Sequence, residues 1–177
     1  MSAFSEKTYR SERVFQGRLL TLRVEEVVLA DGRRARREIV EHPGAVAILA
    51  VDDQQRVALV RQFRRAADRE LWEVPAGTLE PGEAPLECAR RELQEETGFS
   101  ANEWQHLLTF YTAPGFCTEK MYLFLAQELR PVAQKTEVAD EQIEVRFYPR
   151  SEIERMLAEF HDAKTLVALL WWLRPNR

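Results

Sequence analysis

The chain is poor in cysteine and has no long apolar run. Cys88 and Cys117 are the only cysteines among 177 residues, too few for a disulfide framework and too loosely placed for a zinc site. The apolar run at residues 166–173 is far shorter than the ~20 residues of a membrane helix. Residues 1–10 are polar and lack the apolar core of a signal peptide. We therefore expect a cytoplasmic protein with reduced thiols and no membrane contact.

An excess of basic charge is also missing. The sequence has 25 Lys and Arg against 29 Asp and Glu, giving a formal net charge of −4. Because nucleic acid is held by clustered Lys and Arg, we expect no nucleic-acid partner. A small anionic ligand is still compatible, since a few arginines or a bound cation can neutralise it. With 45% hydrophobic and 31% charged residues, the composition is that of a globular protein with a sizeable core.

Apolar patterns predict strands along most of the chain. Residues 18–29 and 34–42 alternate in part with charged residues around Ala30-Asp31-Gly32, which predicts a hairpin. Near-continuous apolar runs at 45–51 and 57–63 predict strands buried on both faces. Later strands are predicted at 107–112, 121–127 and 143–148.

Three helices are predicted as well. Pro85 early in the first and Gly98 just after its end are typical helix-terminus residues. The run Ser151-Glu152-Ile153-Glu154 has the capping-box pattern and predicts a second helix through Phe160. A third is expected from about 163 to 173, ending before Pro175. Strands interleaved with helices predict an α/β fold with a mixed β-sheet between helices.

Three glutamates share one face of the first predicted helix. Glu92, Glu95 and Glu96 have i, i+3 and i+4 spacing, so their carboxylates project from the same side. Each like-charge pair costs roughly a few tenths of a kcal/mol, and the helix dipole disfavours negative charge near the C-terminus. In isolation such a cluster is most often a solvated acidic face. A hard divalent cation removes the repulsion, and Mg²⁺ uses one or two carboxylates together with water and substrate phosphates.

The stretch 77–99 resembles the Nudix box, G-x5-E-x7-R-E-U-x-E-E-x-G-U, where U is a bulky aliphatic residue. Phe99, aromatic at the last U, is the one departure. The positions in register are Gly77, Glu83, Arg91, Glu92, Leu93, Glu95, Glu96 and Gly98. The resemblance implies an α/β/α sandwich that hydrolyses a nucleoside diphosphate linked to another group, with Mg²⁺ or Mn²⁺. On this basis we expect residues 43–177 to form the Nudix hydrolase domain and residues 1–42 an N-terminal antiparallel strand region for dimerisation and substrate contact.

The same resemblance implies roles for individual residues. Glu92 and Glu96 would bind the metal, with a further ligand from the backbone carbonyl of Ala76. Arg91 would orient the carboxylates by charge-assisted hydrogen bonds, and it joins Glu92 and Glu96 as a catalytic candidate. The metal would polarise the diphosphate and lower the pKa of the attacking water. The residues implied to support these ligands from behind are Glu83 and Glu95.

Flanking motifs resemble the ADP-ribose pyrophosphatase branch of the family. These are R-Q-F-R at 61–64, E-x-P-A-G at 73–77 and Pro114, fifteen residues beyond Phe99. In that branch Arg64 would lay its guanidinium plane against adenine. Other residues implied to contact the substrate are Arg36, Arg37, Glu38, Gly115 and Glu119. The branch also implies a homodimer that exchanges its N-terminal strands.

The acidic stretch at 140–145 resembles a loop of that branch and supplies the general-base candidate. Glu141 is our expectation, with Asp140 and Glu144 as rivals and a plain acidic turn as the alternative.

Two other functions of the protein stay open. One is a Nudix pyrophosphatase acting on GDP-mannose, NADH or FAD. The other, less favoured because every box carboxylate is present, is a non-catalytic ADP-ribose sensor.

Overall fold

The computed structural model describes residues 4–133 and 143–175. Its strands are β1 (Glu6–Gln16), β2 (Thr21–Leu29), β3 (Arg34–Glu41), β4 (Ala45–Ala50), β5 (Arg56–Arg64), β6 (Arg69–Glu73), β7 (Ala76–Thr78), β8 (Phe99–Tyr111), β9 (Lys120–Pro131) and β10 (Glu144–Pro149). Its helices are α1 (Pro85–Thr97), α2 (Arg150–Met156) and α3 (Ala163–Trp172), with a 3₁₀ turn at Leu157–Glu159. No helix in this part of the chain is long and apolar enough to cross a membrane.

The described chain forms two compact units. One runs up to Gly44 and includes Tyr111–Lys120, and the other comprises Ala45–Phe110 and the chain from Met121 onward. Our division into residues 1–42 and 43–177 stays a prediction.

The first unit contains an antiparallel sheet in the order β1-β2-β3. The hairpin between β2 and β3 is confirmed, with Val28 opposite Arg34 and Gly32 at a left-handed φ of 85° in the turn. Strand β1 was not predicted. Its sequence, EKTYRSERVFQ, is dominated by charged and polar residues, and all eleven residues are exposed. No buried face imposes the apolar alternation by which a strand is recognised.

In the second unit, β4 lies at the centre of a mixed sheet. The order is β7-β4-β9-β8, with β4 parallel to β9 and antiparallel to β7. All six residues of β4 are buried, which confirms the expectation of a strand covered on both faces. A second sheet, β10-β5-β6, is antiparallel. The short strands β6 and β7 were not predicted, and the strand expected at 107–112 is the end of the longer β8.

The two faces of β4 pack against different helices. Ala47 and Leu49 belong to a core cluster that includes Leu169 of α3. Val46 and Ile48 belong to another cluster, together with Leu93 and other buried residues of α1. The second unit is therefore a three-layer α/β/α sandwich, as the resemblance implied.

The helix termini confirm two predictions and correct one. Helix α1 begins at Pro85 and ends before Gly98, which has a left-handed φ of 70°. Helix α3 spans nearly the expected residues. The capping box at Ser151 was wrong: α2 begins at Arg150, its N-cap is Pro149, and no side chain caps it. Because β10 runs directly into α2, the helix starts one residue before the serine that would cap it.

Candidate active site

Helix α1 holds the box glutamates in a largely enclosed position. Its residues Cys88, Ala89 and Leu93 are fully buried in the core, which fixes the rotation of the helix. Glu96 is itself buried, and the Glu92 side chain is only 13% exposed. Glutamates on a solvated acidic face would be far more exposed. The structure therefore disfavours the alternative in which these residues only form such a face.

The start of β7 approaches these glutamates closely. A Cβ atom added at Gly77 would lie 1.8 Å from the carboxyl carbon of Glu92, so a larger residue would force that side chain out of its present position. The backbone N–H of Ala76 donates to Oε2 of Glu96 at 2.9 Å. On the other side of Ala76, Pro75 accepts a hydrogen bond from the N–H of Ile48. Ala76 is thereby fixed beside Glu96.

Arg91 binds three carboxylates, and we call Glu83, Glu92 and Glu95 the carboxylate cluster. Nε and Nη2 of Arg91 donate to the two oxygens of Glu83 at 2.9 and 3.0 Å. Nη1 donates to Glu92 at 2.7 Å and to Glu95 at 3.1 Å. The hydrogen bonds from Arg91 lower the pKa of Glu83 to about 2. The forked geometry, which a lysine cannot reproduce, holds the cluster in one arrangement.

One guanidinium does not offset the charge of this site. Burial raises the pKa of Glu92 to about 7, and the neighbouring Glu95 and Glu83 add to the rise, while Arg91 opposes it. A carboxyl that resists ionisation because of burial and like charge is stabilised by an added cation. The electrostatics of the site therefore favour binding of a positive ion.

The donors also fit a hard divalent cation. Within residues 4–133 and 143–175, no three acidic, histidine or cysteine side chains already converge on a common point as a ligand set. Mg²⁺ does not need such a set, because it keeps several waters and binds through one or two carboxylates plus phosphate oxygens. Glu92, Glu96 and the backbone of Ala76 supply oxygen atoms of that kind.

Arg64 lies at the end of β5 and is held by a buried glutamate. Its Nε and Nη2 donate to the two oxygens of Glu73 at 2.8 and 2.7 Å. Lys164 of α3 also donates to Glu73. Glu73 is the first residue of the E-x-P-A-G motif, but no role was predicted for it. Lys164 was not predicted either, because it lies 91 positions from Glu73 and no local sequence pattern links the two residues.

The remaining candidates on strand β3 lie in the first unit. Arg36 and Glu38 are exposed and share a face of β3 by alternation. Arg37 points to the other face, where it forms an ion pair with Glu6 of β1 at 2.5 Å.

Gly115 and Glu119 also belong to the first unit. Gly115 is exposed in the loop after β8. Glu119 accepts a hydrogen bond from the Thr112 hydroxyl at 2.5 Å, and its other oxygen lies 3.8 Å from Nδ1 of His42. Thr112 and His42 had not been anticipated as partners of Glu119.

Of the general-base candidates, only Glu144 falls in the described part of the chain. Glu141 and its rival Asp140 lie outside the described residues. Glu144 is on β10, where Arg61 and Arg146 both pair with its carboxylate at 2.5 Å. Both partners of Glu144 belong to the sheet β10-β5-β6, so its carboxylate is held within that sheet.

Comparisons with known proteins place the chain in a family. The NUDIX domain family matches residues 41–169, and the family described as nucleoside diphosphate sugar hydrolase N-terminal domain matches residues 6–40. The first match covers well over half of the chain. The chain belongs to the Nudix hydrolase family, whose members generally use a divalent metal ion.

Individual relatives carry more specific names. The ADP-ribose pyrophosphatase of Bacillus subtilis is 43% identical over 172 residues, covering 96% of this chain and 93% of that protein. A GDP-mannose pyrophosphatase of Enterobacter sp. is 36% identical, covering 77% of this chain and 76% of that protein. A crystal structure described as an ADP compounds hydrolase superposes with a TM-score of 0.85 at 26% identity, covering 98% of this chain and 96% of that one.

Proposed function

We propose that the protein hydrolyses the diphosphate bond of ADP-ribose to give AMP and ribose 5-phosphate, with Mg²⁺ as cofactor. The observation that carries the proposal is the carboxylate cluster, braced by Arg91 and set against Gly77. ADP-ribose is the preferred substrate because the chain is 43% identical to an ADP-ribose pyrophosphatase over nearly its full length. The R-Q-F-R and E-x-P-A-G motifs support the same choice.

The protein's own groups hold and orient the reactants. Glu92 and Glu96 would hold the cation together with the carbonyl of Ala76, and Arg91 keeps Glu92 in place through its 2.7 Å hydrogen bond. When bound, Mg²⁺ polarises the diphosphate and lowers the pKa of the attacking water. Glu141 accepts the proton of that water. Glu83 and Glu95 support the ligands through Arg91.

Recognition of the nucleotide is assigned first to Arg64. Arg64 lies against adenine, with its guanidinium edge held by Glu73. The further contacts proposed are those of Arg36, Arg37, Glu38, Gly115 and Glu119.

A homodimer with exchanged N-terminal strands is part of the proposal, together with a cytoplasmic location. Strand β1 has eleven residues and none is buried, although it carries Tyr9, Val14 and Phe15, each at least half exposed. Covering these side chains with a partner strand would remove apolar surface from water, which supports the proposal. Two-fold symmetry is the usual form of such an assembly.

Light scattering tests the dimer directly, since a fully active monomer at micromolar concentration contradicts it. Mixing Arg37→Ala and Glu96→Gln variants, each inactive alone, tests whether the sites are shared. Mixed dimers then regain one functional site. No recovery despite demonstrated subunit exchange contradicts sharing.

A substrate panel tests the reaction itself. ADP-ribose, GDP-mannose, NADH and FAD are compared at one enzyme concentration, with Mg²⁺ and with EDTA. We expect the highest kcat/KM for ADP-ribose and no hydrolysis in EDTA. Glu92→Gln and Glu96→Gln are expected to lose most activity, whereas Glu87→Gln, an exposed glutamate on the same helix, retains it. Near wild-type turnover of either ligand variant at saturating Mg²⁺ contradicts the metal site.

GDP-mannose is the second candidate substrate, because a 36% identical relative carries that activity in its name. A higher kcat/KM for GDP-mannose than for ADP-ribose in the same panel would replace the first proposal with the second. The box chemistry would be unchanged, since it acts on the diphosphate that both substrates share.

A further inference from the structure

Glu73 is a buried carboxylate outside the Nudix box. It is the last residue of β6 and is 1% exposed. Arg64, the last residue of the neighbouring β5, donates to both of its oxygens. A two-point contact of this kind fixes the plane of the guanidinium as well as its distance. The orientation of Arg64 is therefore set by Glu73.

Helix α3 holds Glu73 from the other side. Lys164, in the first turn of the helix, donates to Oε2 of Glu73 at 2.5 Å, and its ammonium lies 3.0 Å from Asp162. Asp162 is the N-cap of α3, and its carboxylate accepts the N–H and hydroxyl of Thr165. The Thr165 hydroxyl accepts the N–H of Val74, the residue after Glu73. The end of β6 is thus attached to α3 through its backbone and through a side chain.

The charges in this network are balanced, and all of the charged side chains except that of Arg64 are largely enclosed. Arg64 and Lys164 are cations, and Glu73 and Asp162 are carboxylates. A buried ion pair seldom stabilises a fold more than well-packed apolar residues would. Its specific effect is on orientation, because each charged group has few positions in which its partners remain satisfied. This network orients Arg64 at the end of β5.

We propose that Glu73 and Lys164 are positioning residues for substrate binding: Glu73 fixes the guanidinium of Arg64 in its binding orientation, and Lys164 fixes Glu73. The inference rests on the proposed contact between Arg64 and the nucleotide. Neither Glu73 nor Lys164 touches the substrate in this proposal. Both residues affect the affinity for the nucleotide through Arg64. Because the contact exists in both the ground state and the transition state, the effect falls on KM rather than on kcat.

The test compares Glu73→Gln, Lys164→Met and Arg64→Ala with the wild type. Affinity for ADP-ribose is measured by calorimetry in EDTA, where hydrolysis is absent, and KM and kcat are measured with Mg²⁺. Glu73→Gln keeps the shape of the side chain and removes its charge. We expect it to raise Kd and KM about tenfold, the loss of roughly one hydrogen bond to a charged group, with kcat within about twofold. Lys164→Met is expected to give a smaller rise, because the Arg64–Glu73 pair remains.

The decisive measurement is the effect of Glu73→Gln on Kd in the Arg64→Ala variant. If Glu73 acts through Arg64, Glu73→Gln adds nothing further to Kd once Arg64 is absent. The matched control is Glu70→Gln on the same strand, whose side chain is 60% exposed; it leaves Kd unchanged. An equal rise in Kd with and without Arg64 means that Glu73 has only a structural role and overturns the proposal. Unchanged Kd in Glu73→Gln does so as well.

Failure of the proposed function gives a different result. If the wild type neither binds nor hydrolyses ADP-ribose, the substrate assignment is wrong, and the same variants are compared on the panel substrate that is hydrolysed. If ADP-ribose binds normally to Arg64→Ala, the contact of Arg64 is wrong and the positioning proposal is overturned with it. If Glu73→Gln does not fold, Lys164→Met carries the test, because its coupling to Arg64→Ala is measured in the same way.

Discussion

Replacing Glu92 with glutamine tests whether the carboxylate cluster is built for a cation. The raised pKa of Glu92 means that folding without metal favours the protonated form of this carboxyl relative to the unfolded chain. The pKa rises from 4.5 to about 7, which corresponds to about 3 kcal/mol at 1.36 kcal/mol per tenfold change. The side chain is largely enclosed, so solvent screening reduces this figure little.

The sign of the effect follows from the direction of the shift. A group whose pKa is higher in the folded state contributes stability that is fully present below its unfolded pKa of about 4.5 and is lost as the pH rises through about 7. Glutamine resembles the protonated carboxyl and does not titrate. In EDTA we expect Glu92→Gln to match the wild type within about 0.5 kcal/mol near pH 4.5 and to exceed its stability by about 3 kcal/mol near pH 8.

Denaturant unfolding at the two pH values, with and without Mg²⁺, measures these differences. Mg²⁺ at 100 times its Kd adds about 2.7 kcal/mol to a protein that binds it only when folded, and this gain is expected in the wild type and largely absent in the variant. Glu87→Gln, on the first turn of the same helix and exposed, is the control and shows no dependence of its effect on pH. A metal-free Glu92→Gln protein that is less stable than the wild type near pH 8 refutes the reasoning.

Two further substitutions, Gly77→Ala and Arg91→Lys, address the geometry around the same cluster, and Gly82→Ala is the control for the first. Gly77→Ala places a methyl group 1.8 Å from the Glu92 carboxyl carbon; that side chain can move, so the protein folds but kcat/KM falls about 100-fold. Gly82→Ala, where a Cβ meets nothing within 4 Å but φ is 81°, instead costs about 1 kcal/mol of stability and leaves kcat/KM unchanged. Arg91→Lys cannot fork between Glu83 and Glu92, so we expect a higher Mg²⁺ requirement in activity titrations; an unchanged requirement refutes the orienting role.

The parts of the site that the sequence predicted are those encoded within one helix and its flanks. Glu92, Glu96 and Arg91 are fixed relative to one another by helical spacing, and Pro85 and Gly98 mark the ends of that helix. Such relations depend on local geometry, which is the same wherever the helix lies. Of the contacts that Arg91 makes, only the one with Glu95, four residues further on, follows from helical spacing. Its contacts with Glu83 and Glu92 were anticipated from the resemblance to the Nudix box.

Contacts between distant segments could not be anticipated in this way. Glu73 and Lys164 meet because β6 and α3 pack in one unit, and no pattern near either residue records the other. The close approach of Gly77 to Glu92 likewise became clear only from the path of β7. Strand β1 was not predicted for a different reason. Its residues are all exposed, so its sequence lacks the alternation of apolar and polar residues by which a half-buried strand is recognised.

The capping-box error shows why a local pattern needs the path of the chain, and it yields a paired test. Ser151 lies inside α2 and caps nothing, whereas Asp162 caps α3 by accepting the N–H of Thr165. Loss of a capping side chain costs about 1 kcal/mol. We therefore expect Asp162→Ala to lower the free energy of unfolding by at least that amount, since Asp162 also holds Lys164. Ser151→Ala is expected to change it by less than about 0.5 kcal/mol. Equal losses in the two variants, measured by denaturant unfolding, would mean that Ser151 caps α2 in solution and that the helix begins two residues later, at Glu152.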